Sequence, residues 1–347
     1  MPFSSIILNG ESLNLDQAKR KLDSSLPDWE REIFQFLVEW WNSTDFVSVS
    51  TSGSTGTPKV IQQKKELMTI SAQMTGEYFN FKKSQKILLC LPVKFIAGKM
   101  MLVRALHWGL NVDYIEPKLQ LEIPDEMYSF SAMTPPQVEA SIDKVNAIQK
   151  LLLGGAPVSK PLETQLKTIP THCYVSYGMT ETVSHIAIRD LKSHAPNVYR
   201  GLPSVTFSTH QENQLIIHAP HLVPTPLKTT DCVQLLNANQ FIWEGRSDFI
   251  INSGGLKISP EKLEDEISNL MDKDFFIYGK PNEKWGYIPI LIIEGRPINT
   301  VILEAQLQDI LSKNKCPKEI YFLDHFIKTE NGKLNRKKTF EQVLFRP

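Results

Sequence analysis

The run KILLCLPVKFIAGKMMLVRALHWGLNVDYIEP, residues 86–117, sets the fold of the larger part of the chain. KILLCLP predicts a strand, GKMMLVRALHWG a helix and NVDYIEP a second strand. The alternation continues through MYSFSAM, PPQVEASIDKV, LLLGGAP, KPLETQLKTI and HCYVSYGMTET. Strands and helices that alternate in this way predict a layered α/β fold.

Beyond Arg200 the pattern changes to short strands, LIIHAP and FIWEGR, separated by the proline-bearing APHLVPTPLKTTD. This pattern predicts a β-rich subdomain that belongs to the larger domain. The last hundred or so residues alternate again, as DFIINSGG, EKLEDEISNLM, FFIYG, YIPILIIEG, VILEAQLQDILSK and EIYFLD. We expect these segments to form a small α+β domain.

Two domains are therefore predicted, residues 1–245 and residues 246–347. Just inside the second one, Ser259 is followed by Pro260 and Glu261. A hydroxyl at the N-cap, a proline at the first helical position and an acid in the first turn predict a helix start.

Composition excludes several classes of function. Lys and Arg total 38, as do Asp and Glu, so the net charge is zero and nothing global indicates a nucleic-acid or acidic-membrane partner. No apolar run reaches transmembrane or signal-peptide length, which predicts a cytoplasmic protein without membrane insertion. Four scattered cysteines without a C-x-x-C pair predict reduced, mostly buried thiols and no structural metal: Cys90, Cys173, Cys232 and Cys316.

The string TSGSTGTPK, residues 51–59, is rich in glycine and hydroxyl side chains. Such strings are usually linkers. Here, however, Val47 and Val49 precede it in a strand-like run, and Leu67, Ile70 and Met74 follow at helical spacing. Converging backbone N–H groups, hydroxyls and a lysine predict a phosphate-binding loop, although its spacing is not that of a Walker A motif.

Four further strings carry chemically useful side chains. In YGMTET, residues 177–182, the ring of Tyr177 suits a base, Gly178 permits close approach, Thr180 suits phosphate and Glu181 suits Mg²⁺. The others are TTD at 229–231, GRSDFIINSGGLKISPEKLE at 245–264 and NGKLNRK at 331–337. Taken alone, YGMTET is typical of an ordinary turn, and the Asp and Arg of the next two strings are typical of surface salt-bridge partners. NGKLNRK alone is typical of a solvated basic tail.

Taken together and in order, the five strings resemble those of the adenylate-forming superfamily, which includes acyl- and aryl-CoA ligases, peptide-synthetase adenylation domains and luciferase. The resemblance spans about residues 51–337. It implies an enzyme that uses ATP, Mg²⁺ and coenzyme A to join a carboxylic acid to a thiol.

The resemblance also implies roles for individual residues. The mobile phosphate loop would comprise Thr51, Ser52, Gly53, Ser54, Thr55, Gly56 and Lys59. Nucleotide and substrate contacts would come from Gly154 and Gly155 beside the acyl pocket, Tyr177 and Gly178 along the adenine, Asp231 on the ribose hydroxyls, Arg246 on ribose or phosphate, and Lys257. Thr180 and Glu181 would face phosphate and Mg²⁺, Asp248 would be the hinge, and Lys333 would reach the reacting carboxylate and the α-phosphate.

Within the superfamily, LLLGGAPVSKPL and YGMTET look most like o-succinylbenzoate–CoA ligases of menaquinone biosynthesis. Two features depart from the usual pattern. Only about 50 residues precede the phosphate loop, so the first domain is short at its N-terminus relative to typical members. Phe95 stands where many relatives have a pocket histidine, which leaves the acyl substrate open. Lys94 or Lys99 nearby could pair with the second carboxylate of a dicarboxylic acid, or contribute surface charge alone.

The expected partners are therefore an aryl carboxylic acid, ATP and CoA, and a homo-oligomer is left open. Three alternatives remain. The chain is a ligase for another aryl or short-chain acid, an adenylating enzyme that loads a carrier protein, or a non-catalytic nucleotide-binding protein. Lys333, Glu181 and Asp231 are all present, which favours an enzyme over the last of these.

Overall fold

The computed structural model describes residues 3–51, 59–328 and 334–344. Contacts divide the chain into two compact units. The first comprises Met1–Val158, Leu162–Phe207 and Ile217–Leu227, and the second Ser159–Pro161, Ser208–Ile216 and Lys228–Pro347. The predicted fold class, a larger layered α/β part and a smaller α+β part, is confirmed. By contacts, residues 228–245 group with the second unit, while the functional boundary after residue 245 stays a prediction.

A mixed sheet forms the centre of the first unit. Its strands are β1 (Ile6–Leu8), β2 (Glu11–Leu13), β5 (Lys86–Leu89), β6 (Asn111–Tyr114), β7 (Tyr128–Met133), β8 (Ile148–Leu153), β9 (His172–Gly178), β10 (His185–Asp190) and β11 (Val198–Gly201). They pair in the order β11-β10-β9-β8-β7-β5-β6-β1-β2. Strands β9, β8, β7, β5, β6 and β1 are mutually parallel, so their carboxyl ends lie along one edge of the sheet.

Helices cover this sheet because their apolar residues recur every three or four positions. They are α1 (Leu15–Leu22), α2 (Asp28–Trp41), α3 (Lys65–Phe79), α4 (Ile96–Trp108), α5 (Pro135–Ala140) and α6 (Lys160–Thr168). Leu162 and Leu166 of α6, for example, join a buried cluster with Leu151, Cys173 and Val175 of the sheet. Three of the four thiols, those of Cys90, Cys173 and Cys316, are buried as predicted.

The glycine-rich string at 51–59 joins two strands, not a strand and a helix. Strands β3 (Phe46–Thr51) and β4 (Lys59–Lys64) pair antiparallel, with Thr51 opposite Lys59. The predicted helix then begins at Lys65. The short strand KVIQQK escaped the sequence analysis because its two β-branched residues, Val60 and Ile61, are too few to give a clear alternation.

A ladder of antiparallel strands follows the large sheet in sequence, as predicted for a β-rich segment. Its strands are β12 (Thr206–Thr209), β13 (Gln214–His218), β14 (Leu227–Asn237) and β15 (Gln240–Arg246). In the pairing of β14 with β15, Asp231 lies opposite Arg246, and the register shifts between Cys232 and Val233. A bulge of this kind re-aims side chains at the end of a strand.

A small sheet with helices on both faces forms the rest of the second unit. Its elements are β16 (Ile251–Ser253), β17 (Leu256–Ile258), α7 (Pro260–Ile267), β18 (Phe275–Asn282), β19 (Gly286–Glu294), α8 (Thr300–Ile310), β20 (Ile320–Leu323) and α9 (Arg336–Leu344). Leu291 and Ile293 of β19 pack in a cluster with residues of α7 and α8, whereas Ile290 and Ile292 pack in a cluster with residues of α9. Burial on both faces explains why YIPILIIEG is apolar almost throughout.

Two local predictions can be compared with these elements. Ser259 caps α7, since its hydroxyl accepts a hydrogen bond from the Lys262 amide at 3.4 Å, with proline at the first helical position as expected. DFIINSGG, expected to be one strand, is a 3-10 turn at Ser247–Phe249 followed by a hairpin. The hairpin turns at Gly254 and Gly255, whose φ angles of +56° and +85° suit glycine. Among the described residues, no helix is long and apolar enough to cross a membrane.

Candidate nucleotide and acyl site

Two glycines, Gly154 and Gly155, follow strand β8 at the edge of the sheet where the parallel strands have their carboxyl ends. Gly154 follows β8 and donates its N–H to the Met133 carbonyl at 3.1 Å. A Cβ atom on Gly154 would lie 2.5 Å from the Ser176 hydroxyl, and Gly155 has a φ of +86°. Gly154 therefore allows Ser176 to approach the end of β8, at the edge of the sheet where ligands bind in open α/β folds.

The turn after β9 requires glycine at position 178. A Cβ atom there would lie 2.4 Å from the Ser184 carbonyl oxygen and 2.6 Å from the His185 Cα. Both neighbours are backbone atoms and cannot rotate away. Gly178 therefore allows β9 and β10 to approach each other directly beneath the YGMTET turn.

Thr182 and Val183 hold this turn in shape. The buried Thr182 hydroxyl accepts a hydrogen bond from the Met179 amide at 3.0 Å and lies 2.8 Å from the Ser184 carbonyl oxygen, to which it donates. Val183 has φ +67° and ψ −52°, and the Ser184 amide donates to the Thr182 carbonyl across it at 2.7 Å. Positive φ is rare for a β-branched residue and marks a strained γ-turn.

The strained turn determines how the predicted phosphate and Mg²⁺ residues are presented. Thr180 and Glu181 belong to the 3-10 turn Thr180–Thr182, and Glu181 is exposed. Tyr177, two residues before, is half-buried with its ring edge-on to Tyr199 at 5.8 Å. A free carboxylate suits Mg²⁺, which is usually held by one or two carboxylates and substrate phosphates. The structure thus brings Tyr177, Gly178, Thr180 and Glu181 onto one turn, as their spacing in sequence requires.

Arg104 lies buried behind this turn and was missed by the sequence analysis. Only 2% of Arg104 is exposed, and no carboxylate among the described residues pairs with it. Its guanidinium donates to the Ser184 hydroxyl at 3.2 Å and lies 3.4 Å from His185 Nδ1, while Nε has no partner. Burial lowers the pKa of Arg104 to about 9, so the group stays charged at neutral pH.

His185 is neutral in this arrangement. Burial and the positive charge of Arg104 lower the pKa of His185 well below its usual value. Its Nε2 lies 3.3 Å from the Thr75 hydroxyl. The cluster of Arg104, His185, Ser184 and Thr75 therefore carries one positive charge, which an anion would stabilise.

The two lysines suggested for a second carboxylate both lie over aromatic rings. Lys99 is 7% exposed, and its ammonium lies over the Phe36 ring at 4.8 Å, where burial lowers its pKa despite the nearby Glu39. The Lys94 ammonium lies over the ring of Phe95 at 5.0 Å. Lys99 thus holds α2 against α4, and the suggested carboxylate role of the two lysines stays a prediction.

In the second unit, Asp231 and Arg246 face each other across the β14–β15 ladder. Asp231 is 8% exposed, and its Oδ1 accepts a hydrogen bond from the indole N–H of Trp243 at 3.0 Å. Asp231 is also one cause of the raised pKa of Arg246, after the hydrogen bond from Arg246 to Asp248. An oriented carboxylate beside a guanidinium is a suitable pair for ribose hydroxyls and phosphate.

Arg246 also pairs with the predicted hinge residue. Its Nε and Nη2 donate to the two carboxylate oxygens of Asp248 at 2.9 and 2.8 Å. Gly245, directly before it, has a φ of +130° and is covered by Ser259 and Glu261. Lys257 lies on the β16–β17 hairpin in an exposed ion pair with Glu212.

Several predicted site residues fall outside the described residues. These are Ser52, Gly53, Ser54, Thr55, Gly56 and Lys333, and for Thr51 and Lys59 only the backbone is described. Their roles, like those of the other site residues, stay predictions. Within the described ranges no cluster of three or more His, Cys, Asp or Glu side chains is suited to a metal ion.

A family model for the AMP-binding enzymes matches residues 12–222, more than half of the chain. The chain therefore belongs to the AMP-binding enzyme family. It is 27% identical over 335 residues to the 2-succinylbenzoate–CoA ligase of Oceanobacillus iheyensis, covering 84% of this chain and 68% of the relative.

Two solved structures resemble the fold. An acyl-CoA synthetase (AMP-forming)/AMP-acid ligase II-like protein from Dyadobacter fermentans is 30% identical with a TM-score of 0.63, and the match covers 95% of this chain and 99% of that one. The o-succinylbenzoate CoA synthetase from Bacillus subtilis, in complex with its acyl-adenylate intermediate, is 22% identical with a TM-score of 0.74, covering 84% and 68%. The match to the first of these covers nearly the whole of both chains.

Proposed function

We propose that the chain is an AMP-forming acid–CoA ligase that converts o-succinylbenzoate to its CoA thioester through an acyl-adenylate. The observation that carries the proposal is the pairing of buried Asp231 with Arg246 in a member of the AMP-binding enzyme family. The choice of acid is supported by the names of the relatives that match most of the chain.

The first half-reaction joins the acid to AMP. A carboxylate oxygen attacks the α-phosphorus of ATP, a new O–P bond forms, and the bond to pyrophosphate breaks. Both reactants are anions, so the transition state needs positive charge and N–H donors in fixed positions. We assign this role to Lys333 and to the loop at residues 51–59, with Glu181 holding Mg²⁺, which neutralises phosphate charge when bound.

The proposal assigns individual residues to parts of the nucleotide. Asp231 accepts hydrogen bonds from the ribose hydroxyls, Arg246 binds ribose or phosphate, and Tyr177 lies along the adenine. Thr180 donates to phosphate, and Lys257 contributes a further positive charge. The indole of Trp243 supports the role of Asp231 because its hydrogen bond fixes the orientation of the carboxylate.

We assign Arg104, in place of Lys94 or Lys99, to the second carboxylate of the acid. A buried guanidinium without a carboxylate partner is costly, and an aliphatic carboxylate would lower that cost. Gly154 and Gly155 are assigned to the side of the acyl pocket, on the resemblance of LLLGGAPVSKPL. This assignment explains why a dicarboxylic acid would be preferred to benzoate.

The second half-reaction transfers the acyl group to the CoA thiol, which loses its proton as AMP leaves. Lys333 must then withdraw, and rotation at Asp248 accomplishes this in our proposal. Gly245, Gly254 and Gly255, all with positive φ, give the neighbouring backbone unusual freedom. A cytoplasmic location and a homo-oligomer remain predictions.

A panel of acids tests the choice of substrate. Purified protein with ATP, Mg²⁺ and CoA is given o-succinylbenzoate, benzoate, 2-methylbenzoate, malonate or acetate, and pyrophosphate release is measured. We expect kcat/KM for o-succinylbenzoate to exceed that for benzoate by about a hundredfold or more, the size of one lost buried charge contact. A higher kcat/KM for any other acid would mean that the chain is a ligase for that acid and not for o-succinylbenzoate.

A further inference from the structure

A buried chain of hydrogen bonds fixes the position of the proton on the His185 ring. At one end the Arg104 guanidinium lies 3.4 Å from Nδ1, and a guanidinium can only donate. Nδ1 is therefore the acceptor, which leaves the ring proton on Nε2. At the other end Nε2 lies 3.3 Å from the Thr75 hydroxyl, which donates its own proton to the Ser71 carbonyl at 2.9 Å. That hydroxyl accepts from Nε2, so both ends of the chain require the same neutral tautomer.

The same chain holds one nitrogen of Arg104 in a fixed direction. Nη2 lies 3.2 Å from the Ser184 hydroxyl and 3.4 Å from His185 Nδ1, so both of its N–H groups have an acceptor. The Ser184 hydroxyl is itself 3.4 Å from Nδ1, which closes a small ring of contacts. Nη1 faces only the sulfur of Met101 at 3.6 Å, a weak acceptor. The two acceptors on Nη2 set the plane of the guanidinium and leave Nη1 without a strong partner.

His185 is held in place by the backbone around it. It is buried at the start of β10 and lies opposite Gly178 of β9. A Cβ atom on Gly178 would lie only 2.6 Å from the His185 Cα, so the two backbones are in direct contact. Burial and the charge of Arg104 also hold the pKa of His185 well below its usual value. The ring therefore stays neutral at neutral pH, and Nδ1 remains an acceptor beside the cation.

We infer that His185 is a positioning residue for acid recognition, which orients the Arg104 guanidinium toward the second carboxylate by accepting from Nη2 while Thr75 holds its Nε2–H. The inference rests on the proposed function, in which Arg104 binds that carboxylate. A side chain that is ordered before binding loses little freedom when its ligand arrives. Because His185 acts through Arg104, its loss should weaken binding of the dicarboxylic acid and spare benzoate.

Two substitutions separate hydrogen bonding from packing at position 185. His185→Phe keeps a planar ring but has no acceptor, and we expect it to raise the KM for o-succinylbenzoate about tenfold, the size of one lost hydrogen bond to a charged group. Its kcat/KM for benzoate should stay within about twofold of wild type. His185→Gln offers an oxygen to Arg104 and an N–H to Thr75, so its KM for o-succinylbenzoate should return to within about threefold of wild type.

His107 provides a matched control on α4, the helix that carries Arg104. Its Nδ1 has no hydrogen-bond partner among the described residues, and its ring stands edge-on to Trp108 at 5.6 Å. His107→Phe makes the same chemical change and should leave the kinetics with both acids within about twofold of wild type. Equal losses for both acids in His185→Phe, an unchanged KM for o-succinylbenzoate in that variant, or a Gln variant as poor as the Phe variant would each overturn the inference.

Nitrogen NMR of the histidine rings tests the geometry without any substrate. We expect the wild-type His185 ring, assigned by its absence from the spectrum of His185→Gln, to carry its proton on Nε2 and none on Nδ1 between about pH 6 and pH 8. Arg104→Met should shift the Nδ1 resonance, because a hydrogen bond to that nitrogen is lost. A proton on Nδ1, or an Nδ1 resonance that Arg104→Met leaves in place, would overturn the inference. If wild-type protein released pyrophosphate with none of the acids, the proposed function would fall, and these spectra would still decide whether His185 orients Arg104.

Discussion

The indole N–H of Trp243 donates to Oδ1 of Asp231 at 3.0 Å, across the β14–β15 ladder that also sets Asp231 opposite Arg246. This bond fixes the carboxylate plane of a residue that is 8% exposed. An oriented carboxylate loses little freedom when it accepts hydrogen bonds from a ligand. The pairing therefore gives the proposed ribose contact a structural basis beyond the motif TTD.

Asp231→Ala should raise the KM for ATP at least tenfold. Each hydrogen bond from a ribose hydroxyl to a charged carboxylate contributes about 1.5–3 kcal/mol, and the variant loses both. Trp243→Phe keeps the carboxylate but not its orientation, so a smaller rise is expected. Steady-state kinetics with varied ATP make the measurement, with Asp309→Ala on the exposed side of α8 as the control. A KM for Asp231→Ala within about twofold of wild type would remove the ribose role.

Arg104→Met should discriminate between acids. The variant keeps an apolar side chain of similar length but no charge, so KM for o-succinylbenzoate should rise about tenfold or more while that for benzoate stays constant. Its melting temperature should equal or exceed that of wild type, because an unpaired buried cation is removed. Equal losses for both acids would place Arg104 in the scaffold of the turn and not in acid recognition.

Gly178→Ala should destabilise the first unit by about 1–3 kcal/mol, because the new methyl group meets backbone atoms at 2.4 and 2.6 Å. Urea unfolding measures the loss. Gly10→Ala is the control for backbone strain without a steric clash, since its φ of +80° disfavours alanine but nothing lies within 4 Å of the added Cβ. Equal stability of the two variants would mean that β9 and β10 separate easily at the YGMTET turn.

Stability should fall between about pH 4.5 and pH 7 through Glu261. Burial raises the pKa of Glu261 to about 7, offset in part by Arg336, while the unfolded chain titrates near 4.5. The folded state thus keeps a proton that the unfolded state has lost, and stability decreases as the pH rises through this window. Arg336 and Glu264 both act on this carboxyl, the guanidinium lowering the pKa of Glu261 and the second carboxylate raising it.

Glu261→Gln should remove this contribution. The variant should melt about 2–4 °C above wild type at pH 8 and show no such gain at pH 4.5. Glu266→Gln changes an exposed glutamate of the same helix and should follow wild type at both pH values. A constant difference between Glu261→Gln and wild type at all pH values would show that Glu261 titrates as in the unfolded chain.

Sequence patterns predicted the elements whose apolar period is long and regular. The βα alternation from residue 86 and the helix start at Ser259 are confirmed, since each depends on local side chains alone. Strand β4 and the hairpin within DFIINSGG were missed because both are short and their pairing is set by neighbouring strands.

The sequence identified some residues of the candidate site and missed others. Contiguous strings located Gly178, Thr180 and Glu181, which one turn brings together. The pairing of Asp231 with Arg246 depends on a register shift that no local pattern reveals. Arg104 escaped notice because it lies inside GKMMLVRALHWG, where it was counted as part of a helix; a charged residue at a buried helical position was the available signal.

The nucleotide products of the wild-type reaction are the decisive observation for this account. Protein incubated with ATP, Mg²⁺, o-succinylbenzoate and CoA is followed by phosphorus NMR and by mass spectrometry of the acyl product. We predict AMP, pyrophosphate and o-succinylbenzoyl-CoA in equal amounts, with no turnover when either Mg²⁺ or the acid is left out. Release of ADP and phosphate, or a thioester formed without loss of pyrophosphate, would contradict the assignment.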